Sequence, residues 1–419
     1  MRGLGAAPTV IEGQRSLYAE RSAVSRPTLL MTIYANPDYY PPTVNAVNLA
    51  RQYFSVHLLC RNMEPSFRRW PRDVTLERVG PYATDEGKAA MGAAAKLREY
   101  WRFAGAVRKA IARIRPHLIY AYDPHAFAAA IWAGAKRRDI PLVYQLHELP
   151  ESRDVPLRSM QRWVLRYARA RTREADLVVF PERNRAMRYL GGIHDARPSM
   201  IVPNFPARDF CPPPSDWSAL IERRLDDQEI LYMGTLGPTN GNREALAALC
   251  HVNSPARLTM LGRCADEFRV ELLGHAQRLG LERRLSIENW IPHTELPMRA
   301  RHAALGLSTY KAVSQSLEFM VSATNKLFEY AACAMPVVVP DRPGYREFLA
   351  GESWVVYADF ENPVSIAQAI DAVFADRERY GAMCVAARRA FEDRYHYERA
   401  FAPLLERMVA LAGAVSAGD

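Results

Sequence analysis

A polar cluster that precedes a helical pattern is the part of this sequence best suited to chemistry. Ser322, Thr324 and Asn325 open the pattern, and Lys326 and Glu329 follow within its first turns. Free N–H groups and the helix dipole at such a start favour an anion such as pyrophosphate. Glu329 follows Asn325 at helical i,i+4 spacing and shares its helix face. A carboxylate at that position can accept hydrogen bonds from two sugar hydroxyls, or it can simply be solvated.

A second group of polar and aromatic side chains follows predicted strands in the first half of the chain. These positions suit a ligand because ligands bind beyond the carboxyl ends of parallel strands. Structural alternatives stay open, since Asp123 can cap the helix that starts near Pro124 and each histidine can be satisfied internally. The group consists of Tyr34, Tyr39, Tyr40, Asp123, His125, His147 and Glu148.

The composition is that of a globular protein with a basic surplus. The 419 residues are 49% hydrophobic and 24% charged, which excludes a mainly disordered, collagen-like or coiled-coil chain. The net charge of +9 fits nucleic acid, an anionic membrane or a phosphorylated substrate. No helix-turn-helix, zinc-finger or RNA-binding signature accompanies the charge, so we expect no nucleic-acid partner. Arginines recurring through a predicted helix, from Arg158 to Arg173, form a basic face that is either solvated or in peripheral contact with an anionic membrane.

The cysteines and the apolar runs indicate a cytoplasmic protein. None of the six cysteines forms a C-x-x-C pair, and their gaps fit no zinc pattern. No Asp-x-Asp pair stands in a suitable loop, so we expect no metal and no cofactor. The first 26 residues have no secretory apolar core, and no apolar run approaches the roughly 18 residues that span a bilayer. We therefore expect a cytoplasmic chain that can lie peripherally at the inner face of the membrane.

Short apolar strands alternate with helical patterns in two successive series. Such alternation predicts parallel sheets covered by helices on both faces, an α/β architecture. The predicted strands span 28–34, 56–60, 118–122, 142–146, 177–180 and 200–202, then 230–233, 257–261, 285–287, 304–308, 336–339 and 354–357. The predicted helices span 43–53, 87–115, 126–138 and 156–175, then 242–250, 265–279, 324–332, 364–374 and a tail over 381–412.

The proline-rich stretch beginning at Pro203 separates the two series, because it can be neither a helix nor a central strand. The predicted organisation is two Rossmann-like, doubly wound domains that face each other across a ligand-binding cleft. Its parts are a loose extension over 1–26, a first domain over 27–205, a linker over 206–218, a second domain over 219–395, and a C-terminal helix over 396–419 that can pack back on the first domain.

These motifs, in this order, resemble glycosyltransferase family 4, whose members are retaining enzymes of GT-B fold. The signature is Asn325-Lys-Leu-Phe-Glu329-Tyr, followed by a small-residue turn and Pro336-Val-Val. The family's strand-end loops are similar to Tyr120-Ala-Tyr-Asp-Pro-His125 and to the turn at His147-Glu148. The opening of its second domain resembles Ile230-Leu-Tyr-Met-Gly-Thr-Leu-Gly237. The resemblance extends over about residues 28–400 and says nothing of the substrate.

The resemblance implies roles for individual residues. Glu329 would hold the ribose of a nucleotide-sugar, with Asn325 and Lys326 beside the diphosphate or the donor sugar. His147 would face the sugar from the first domain. The acceptor side would consist of Tyr34, Tyr39, Tyr40, Asp123, His125 and Glu148. The remaining donor-side residues are the polar pair Ser322 and Thr324, the backbone positions Gly234 and Thr235, and the nucleobase turn at Asn289 and Trp290, where the tryptophan can instead be a packing residue.

Three positions depart from the family pattern. Val321 stands where many members have a glutamate, and the nearest acid is Glu318. Thr235 and Asn240 occupy the places of an arginine and a lysine after the first strand of the second domain. The missing charge can come from Arg243, Lys311 or Lys326. Alanine replaces the usual glycine of the small-residue turn at position 334.

The sequence predicts a metal-independent glycosyltransferase that uses a UDP-, GDP- or dTDP-linked sugar and retains the anomeric configuration. The acceptor is a small molecule or a glycan, which can be lipid-linked. A nucleotide-sugar epimerase of GT-B fold and an inactive GT-B protein that binds a partner are the alternatives. Formation of an isomerised nucleotide-sugar without acceptor distinguishes the first alternative, and failure to bind any nucleotide-sugar distinguishes the second.

Overall fold

The computed structural model describes residues 26–63, 69–84, 87, 90–150, 159–191 and 198–416. Two parallel sheets dominate it, and the first has the order β3-β2-β1-β4-β5-β6-β7. Its strands are β1 (Thr28–Ile33), β2 (Ser55–Met63), β3 (Thr75–Ala83), β4 (Leu118–Tyr122), β5 (Leu142–Gln145), β6 (Leu177–Phe180) and β7 (Ser199–Ile201). The helices that cover it are α1 (Pro41–Ala50), α2 (Ala93–Ile114), α3 (Asp123–Trp132), α4 (Met160–Arg171) and α5 (Arg183–Leu190).

The second sheet has six parallel strands in the order β10-β9-β8-β11-β12-β13. They are β8 (Glu229–Met233), β9 (Arg257–Leu261), β10 (Leu285–Glu288), β11 (Leu305–Leu307), β12 (Val337–Pro340) and β13 (Val355–Ala358). The accompanying helices are α6 (Trp217–Asp227), α7 (Asn242–Ala248), α8 (Asp266–Arg278), α9 (Leu296–Ala300), α10 (Gln315–Glu318), α11 (Asn325–Ala332), α12 (Pro343–Phe348), α13 (Pro363–Phe374), α14 (Arg377–Asp393) and α15 (Tyr397–Ser416).

Both sheets reverse their strand order beside the strand that opens each domain, between β1 and β4 and between β8 and β11. Loops diverge at such a reversal and leave a crevice at the carboxyl ends of the strands. The apolar strand runs are buried on both faces because helices cover both sides. These two facing doubly wound sheets confirm the predicted GT-B architecture.

Strand β3 is an element that apolar periodicity missed. It contains Glu77, Arg78 and Pro81, and most of its side chains are only partly buried. It lies at the edge of the first sheet, where one side needs no hydrogen-bonded neighbour and proline is tolerated. Edge position therefore explains why a polar segment forms a strand here.

The predicted helical tail over 381–412 consists of two helices. Helix α14 ends at Asp393, and α15 begins at Tyr397. Helix α14 packs in the second domain, whereas α15 buries Phe401, Leu404 and Met408 in the core that includes β1 and β2 of the first domain. The chain therefore returns to the first domain at its end. In the part of the chain that the structure describes, no helix is long and apolar enough to cross a bilayer.

Candidate functional site

A cavity of about 570 Å³ lies between the two domains, at the carboxyl ends of both sheets. The first domain contributes the segment after β1, including the short turn Pro37–Tyr39, and the segment after β5. The second domain contributes the ends of β8 and β9 and the start of α11. This is the size and position expected of a binding site for a small organic molecule.

The structure brings eleven of the sequence-predicted site residues together around this cavity. The first domain supplies four of them and the second domain seven, so both halves of the chain are needed to form the site. They are Tyr39, Tyr40, His147, Glu148, Gly234, Thr235, Trp290, Thr324, Asn325, Lys326 and Glu329.

The structure does not bring Arg243, Asn289 or Ser322 to the cavity wall. Arg243 pairs with Glu271 and lies over Phe268, on the outer side of α7. Asn289 accepts a hydrogen bond from Arg269 at 2.8 Å. These contacts explain why both donor-side assignments differ from the observed placement: each side chain has a partner on the neighbouring α8.

Ser322 has a structural contact instead of a place in the cavity. Its Oγ donates to the Pro181 carbonyl at 2.7 Å, and so it joins the two domains. Tyr34 and His125 stack on one another beside the site, with ring centroids 5.2 Å apart. Tyr100 of α2 packs edge-on against both rings of this pair.

Lys326 is the buried cation of the second-domain wall. Its side chain is 7% exposed, and Nζ lies 4.0 Å from the ring centre of Tyr232 and 4.4 Å from that of Tyr310. Burial lowers the pKa of Lys326 to about 7, although the nearby Glu329 carboxylate acts in the opposite direction. The amine is thus poised to become charged when an anion enters the cavity.

Two glycines let the backbone approach Lys326. A Cβ on Gly234 would lie 3.2 Å from the amine, and Gly234 has a φ of +129°. A Cβ on Gly262 would lie only 1.8 Å from the Gly234 carbonyl oxygen. Glycine at both positions therefore keeps the loops after β8 and β9 in contact and leaves space for a ligand beside the lysine.

Glu329 is buried and its carboxylate contacts a histidine that the sequence did not single out. His293 Nε2 lies 2.7 Å from Glu329 Oε1. His293 follows Trp290 in the loop after β10, and its ring packs against Phe210. The sequence could have indicated His293 through its position, since it lies in the same loop as Trp290, which was already predicted to line the site.

His147 is held in one orientation by contacts from the first domain. Its ring Nδ1 and its backbone N–H both reach the carboxylate of Asp123, at 2.9 and 2.8 Å. Thr43 Oγ1 lies 3.2 Å from Nε2, and the Tyr122 ring stacks on the imidazole. Asp123 adopts a left-handed φ of +61°, which aims its carboxylate at His147. The predicted acceptor-side Asp123 thus acts by orienting His147.

Arg263 is a second basic residue at the cavity that the sequence did not indicate. Its guanidinium lies 4.5 Å from the ring centre of Tyr39 and 5.6 Å from that of Trp290. Tyr39 belongs to the first domain and Trp290 to the second, so these cation–π contacts cross the cleft. Sequence spacing could not indicate this residue, because its two aromatic partners come from separate loops in different domains.

Val321, at the position where many family members have a glutamate, is buried in the protein core and does not line the cavity. Val321 packs in the apolar core of the second domain. Glu318 ends the short helix α10 with an exposed side chain and does not line the cavity. Neither residue therefore supplies a carboxylate to the site.

Two family models match the chain. Residues 46–205 match the model described as Glycosyltransferase Family 4, and residues 255–406 match one described as Glycosyl transferase-like. A D-inositol 3-phosphate glycosyltransferase from Xylanimonas cellulosilytica is 26% identical over 299 residues, which are 66% of this chain and 67% of that protein.

Solved structures share the whole architecture at low sequence identity. Sucrose-phosphate synthase from Thermosynechococcus elongatus has a TM-score of 0.70 at 15% identity, and the match covers 94% of this chain and 100% of that one. Anabaena HepE in complex with UDP and glucose has a TM-score of 0.68 at 16% identity and covers 92% and 100%.

The two facing domains, the cleft between them and these matches define a glycosyltransferase of GT-B fold. Within that class, the chain is a glycosyltransferase related to family 4. The predicted resemblance to family 4 and the predicted enzyme class are thereby confirmed.

Proposed function

We propose that this enzyme transfers a sugar from a nucleoside diphosphate sugar, UDP-, GDP- or dTDP-linked, to an acceptor hydroxyl, with the nucleotide-sugar as co-substrate and no cofactor. The observation that carries the proposal is the second-domain wall. There the start of α11 places Asn325, Lys326 and Glu329 in the interdomain cavity. The complex of Anabaena HepE with UDP and glucose, a protein of the same fold, supports this class of donor.

Glu329 and His293 form the ribose end of the proposed donor site. His293 contacts Oε1 of the carboxylate. We infer that Oε2 accepts a ribose hydroxyl, since a buried carboxylate gains most from a hydrogen-bond donor that replaces water. Trp290, in contact with Arg263, closes the neighbouring wall.

Lys326 and the first turn of α11 form the diphosphate end. Negative charge grows on the β-phosphate oxygen as the glycosidic bond breaks. A buried ammonium and free helix N–H groups stabilise that charge more strongly than water does, because they are fixed in place before the reaction. This source of positive charge supports transfer without a metal ion.

The first-domain wall forms the proposed acceptor side. Tyr39, Tyr40 and His147 face the donor wall across the cavity. Because Asp123 and Thr43 fix the imidazole, His147 keeps its orientation when substrate displaces water. The acceptor is a small molecule or glycan, including a lipid-linked one, and we propose retention of the anomeric configuration.

Titration calorimetry with UDP-, GDP- and dTDP-sugars tests the proposal. We expect one nucleotide class to bind, and we expect Glu329→Gln to weaken that binding by roughly tenfold to a hundredfold, since hydrogen bonds to a charged group are worth about 1.5–3 kcal/mol. Glu318→Gln is the matched control, because Glu318 is exposed outside the cavity. If no nucleotide-sugar binds the wild type, the proposal is wrong.

Product analysis with the donor that binds tests the chemistry. Transfer should persist in EDTA, and NMR of the product should show the anomeric configuration of the donor. An isomerised nucleotide-sugar formed without acceptor would contradict transfer as the principal reaction.

A further inference from the structure

Three tryptophans form an exposed cluster on the outside of the first domain. Trp101, Trp132 and Trp163 are 38%, 42% and 46% exposed. They come from α2, α3 and α4, which pack side by side. The ring of Trp101 lies 5.0 Å from that of Trp132 and 6.2 Å from that of Trp163. Large aromatic side chains seldom stay in water as a contiguous group, so this surface suggests a partner.

Further residues extend the tryptophan cluster. Tyr167 stacks on Trp163 at 5.3 Å, one turn along α4. Leu97 is exposed one turn before Trp101 on α2. The cluster thus spans three helices and is broad rather than a single protruding side chain.

Arginines accompany the aromatic rings. Arg108 lies over Trp132 at 6.0 Å, and Arg171 lies over Tyr167 at 5.4 Å. Arg166, which is exposed, follows Trp163 by three residues and lies on the same side of α4. Guanidinium groups and aromatic rings are therefore interleaved on this surface.

The three helices carry a strong excess of positive charge. Their two acidic residues are engaged, because Glu99 is buried against Arg102 and Asp123 holds His147. Arg158, the first member of the predicted basic face, lies outside the described residues. The basic residues of the three helices are Lys96, Arg98, Arg102, Arg108, Lys109, Arg113, Arg162, Arg166, Arg169 and Arg171.

We propose that this tryptophan–arginine surface docks the enzyme on an anionic lipid bilayer, with the indole rings at the headgroup level and the guanidinium groups on lipid phosphates. Tryptophan suits the boundary between water and acyl chains because its ring is apolar and its N–H is polar. Arginines beside the rings supply the attraction to negative headgroups. A second copy of the chain is a poorer occupant, since a symmetric contact would bring like-charged helices together.

The surface lies next to the proposed acceptor side. Tyr100 precedes Trp101 on α2, is buried, and its ring lies 6.0 Å from the Trp101 ring. Its hydroxyl donates to the His125 carbonyl, and its ring contacts Tyr34. A bilayer at the cluster would thus lie beside the half of the enzyme proposed to bind the acceptor. Docking itself does not depend on sugar transfer, so its failure would leave the proposed function untouched.

Vesicle flotation of the full chain tests the docking. We expect binding to phosphatidylcholine vesicles enriched in phosphatidylglycerol, weaker binding at high salt, and little binding to phosphatidylcholine alone. The triple variant Trp101→Ala, Trp132→Ala, Trp163→Ala should bind at least about tenfold more weakly. The matched control replaces three exposed apolar residues of the second domain, Val270→Ala, Leu273→Ala and Met298→Ala, and should bind as the wild type does.

A double variant that removes two positive charges tests the electrostatic part of the docking separately. Arg108→Gln with Arg166→Gln should weaken binding by about fivefold for each charge removed. Arg278→Gln with Arg283→Gln removes the same charge from exposed positions of the second domain and should have no comparable effect. An unchanged thermal unfolding temperature verifies the fold of each variant. If the triple variant unfolds, the single variant Trp163→Ala replaces it in the vesicle experiment.

Three results would overturn the docking proposal. The first is a wild type that ignores anionic vesicles at low salt. The second is equal binding by the tryptophan variants and the wild type. The third is self-association, or binding of an acidic protein, that requires the tryptophans while vesicles are not bound.

Discussion

At the scale of single residues, the amine of Lys326 is buried at the cavity, and this burial bears on the proposed binding of a diphosphate. Its amine lies against two tyrosine rings rather than against a carboxylate, and burial lowers its pKa to about 7. The other two cations considered from sequence are already neutralised, since Arg243 pairs with Glu271 and Lys311 with Glu244. Lys326 is therefore the residue of these three that we propose to bind the diphosphate.

Donor affinity should fall as the pH rises above 7. The free protein then holds a neutral amine, so donor binding takes up a proton, and affinity drops by up to about tenfold per pH unit. Calorimetry at pH 8 in buffers of different ionisation enthalpy should detect this proton uptake. Lys326→Met should abolish the uptake and the pH dependence, whereas Lys311→Met should preserve both.

The same shift has a consequence for stability with a definite sign. The unfolded lysine binds its proton up to about 10.5, and the folded one only up to about 7. Between these values the unfolded chain holds more protons, so this residue makes the free energy of unfolding rise with pH in that window. If the wild type and Lys326→Met take up equal numbers of protons on donor binding, the assignment of the shifted pKa to Lys326 is wrong.

At the scale of elements, helix α11 is fixed at its end by buried arginines. Arg224 donates to the carbonyls of Cys333 and Ala334 at 2.8 and 2.5 Å. Arg388 donates to the carbonyl of Ala332 at 2.6 Å. Cations at a helix C-terminus satisfy its last carbonyls and complement its dipole. The helix start that faces the cavity is thereby held in place from its far end.

Ala334, two residues after the end of α11, has a strained backbone conformation. Its φ is +56°, where the family usually has glycine. A left-handed alanine costs about 1–2 kcal/mol, and glycine loses about 0.5–1 kcal/mol of chain entropy. Ala334→Gly should therefore raise the free energy of unfolding by about 0.5–1 kcal/mol in denaturant titration.

A control within the same helix separates backbone strain from a general effect of glycine. Ala331 is buried in the regular part of α11. Ala331→Gly should lower the free energy of unfolding by about 1 kcal/mol or more. Destabilisation by both glycines would mean that the strain at position 334 is already relieved by its surroundings.

At the scale of the whole molecule, Arg185 joins the two domains beside the cavity. It lies in α5 of the first domain and donates to the carbonyls of Phe319 and Ser316 in the second, at 2.8 and 2.5 Å. Its guanidinium also donates to the His147 carbonyl at 2.8 Å. Domain position and the orientation of His147 are thus coupled through one buried side chain.

Replacement of Arg185 should allow the two domains to move apart. Arg185→Met removes hydrogen bonds worth about 1.5–3 kcal/mol each, so the transfer rate should fall at least about tenfold and the radius of gyration should increase in small-angle scattering. Arg188→Met is the matched control, because Arg188 is exposed on the same helix and donates to the Gln315 side chain. An unchanged radius with an unchanged rate would show that closure does not need Arg185.

Local patterns predicted the elements that carry apolar periodicity. Strands β4, β6 and β9 begin and end where the sequence predicts, because each is a short apolar run buried on both faces. Strand β3 was missed because an edge strand can be polar. The predicted helix over 87–115 begins in a segment that is only partly described, and α2 covers its later part from Ala93 to Ile114.

The sequence by itself determined the class of fold and indicated an anion site at the start of α11. Apolar period, strand length and the polar residues at a helix start are local properties, so they can be recognised without the tertiary structure. Only the tertiary structure decided which cations face the cavity, because pairing of Arg243 with Glu271 depends on how α7 packs against α8. It also joined His293 to Glu329 and gathered Trp101, Trp132 and Trp163 from three helices. Such contacts unite residues distant along the chain, and no spacing rule encodes them.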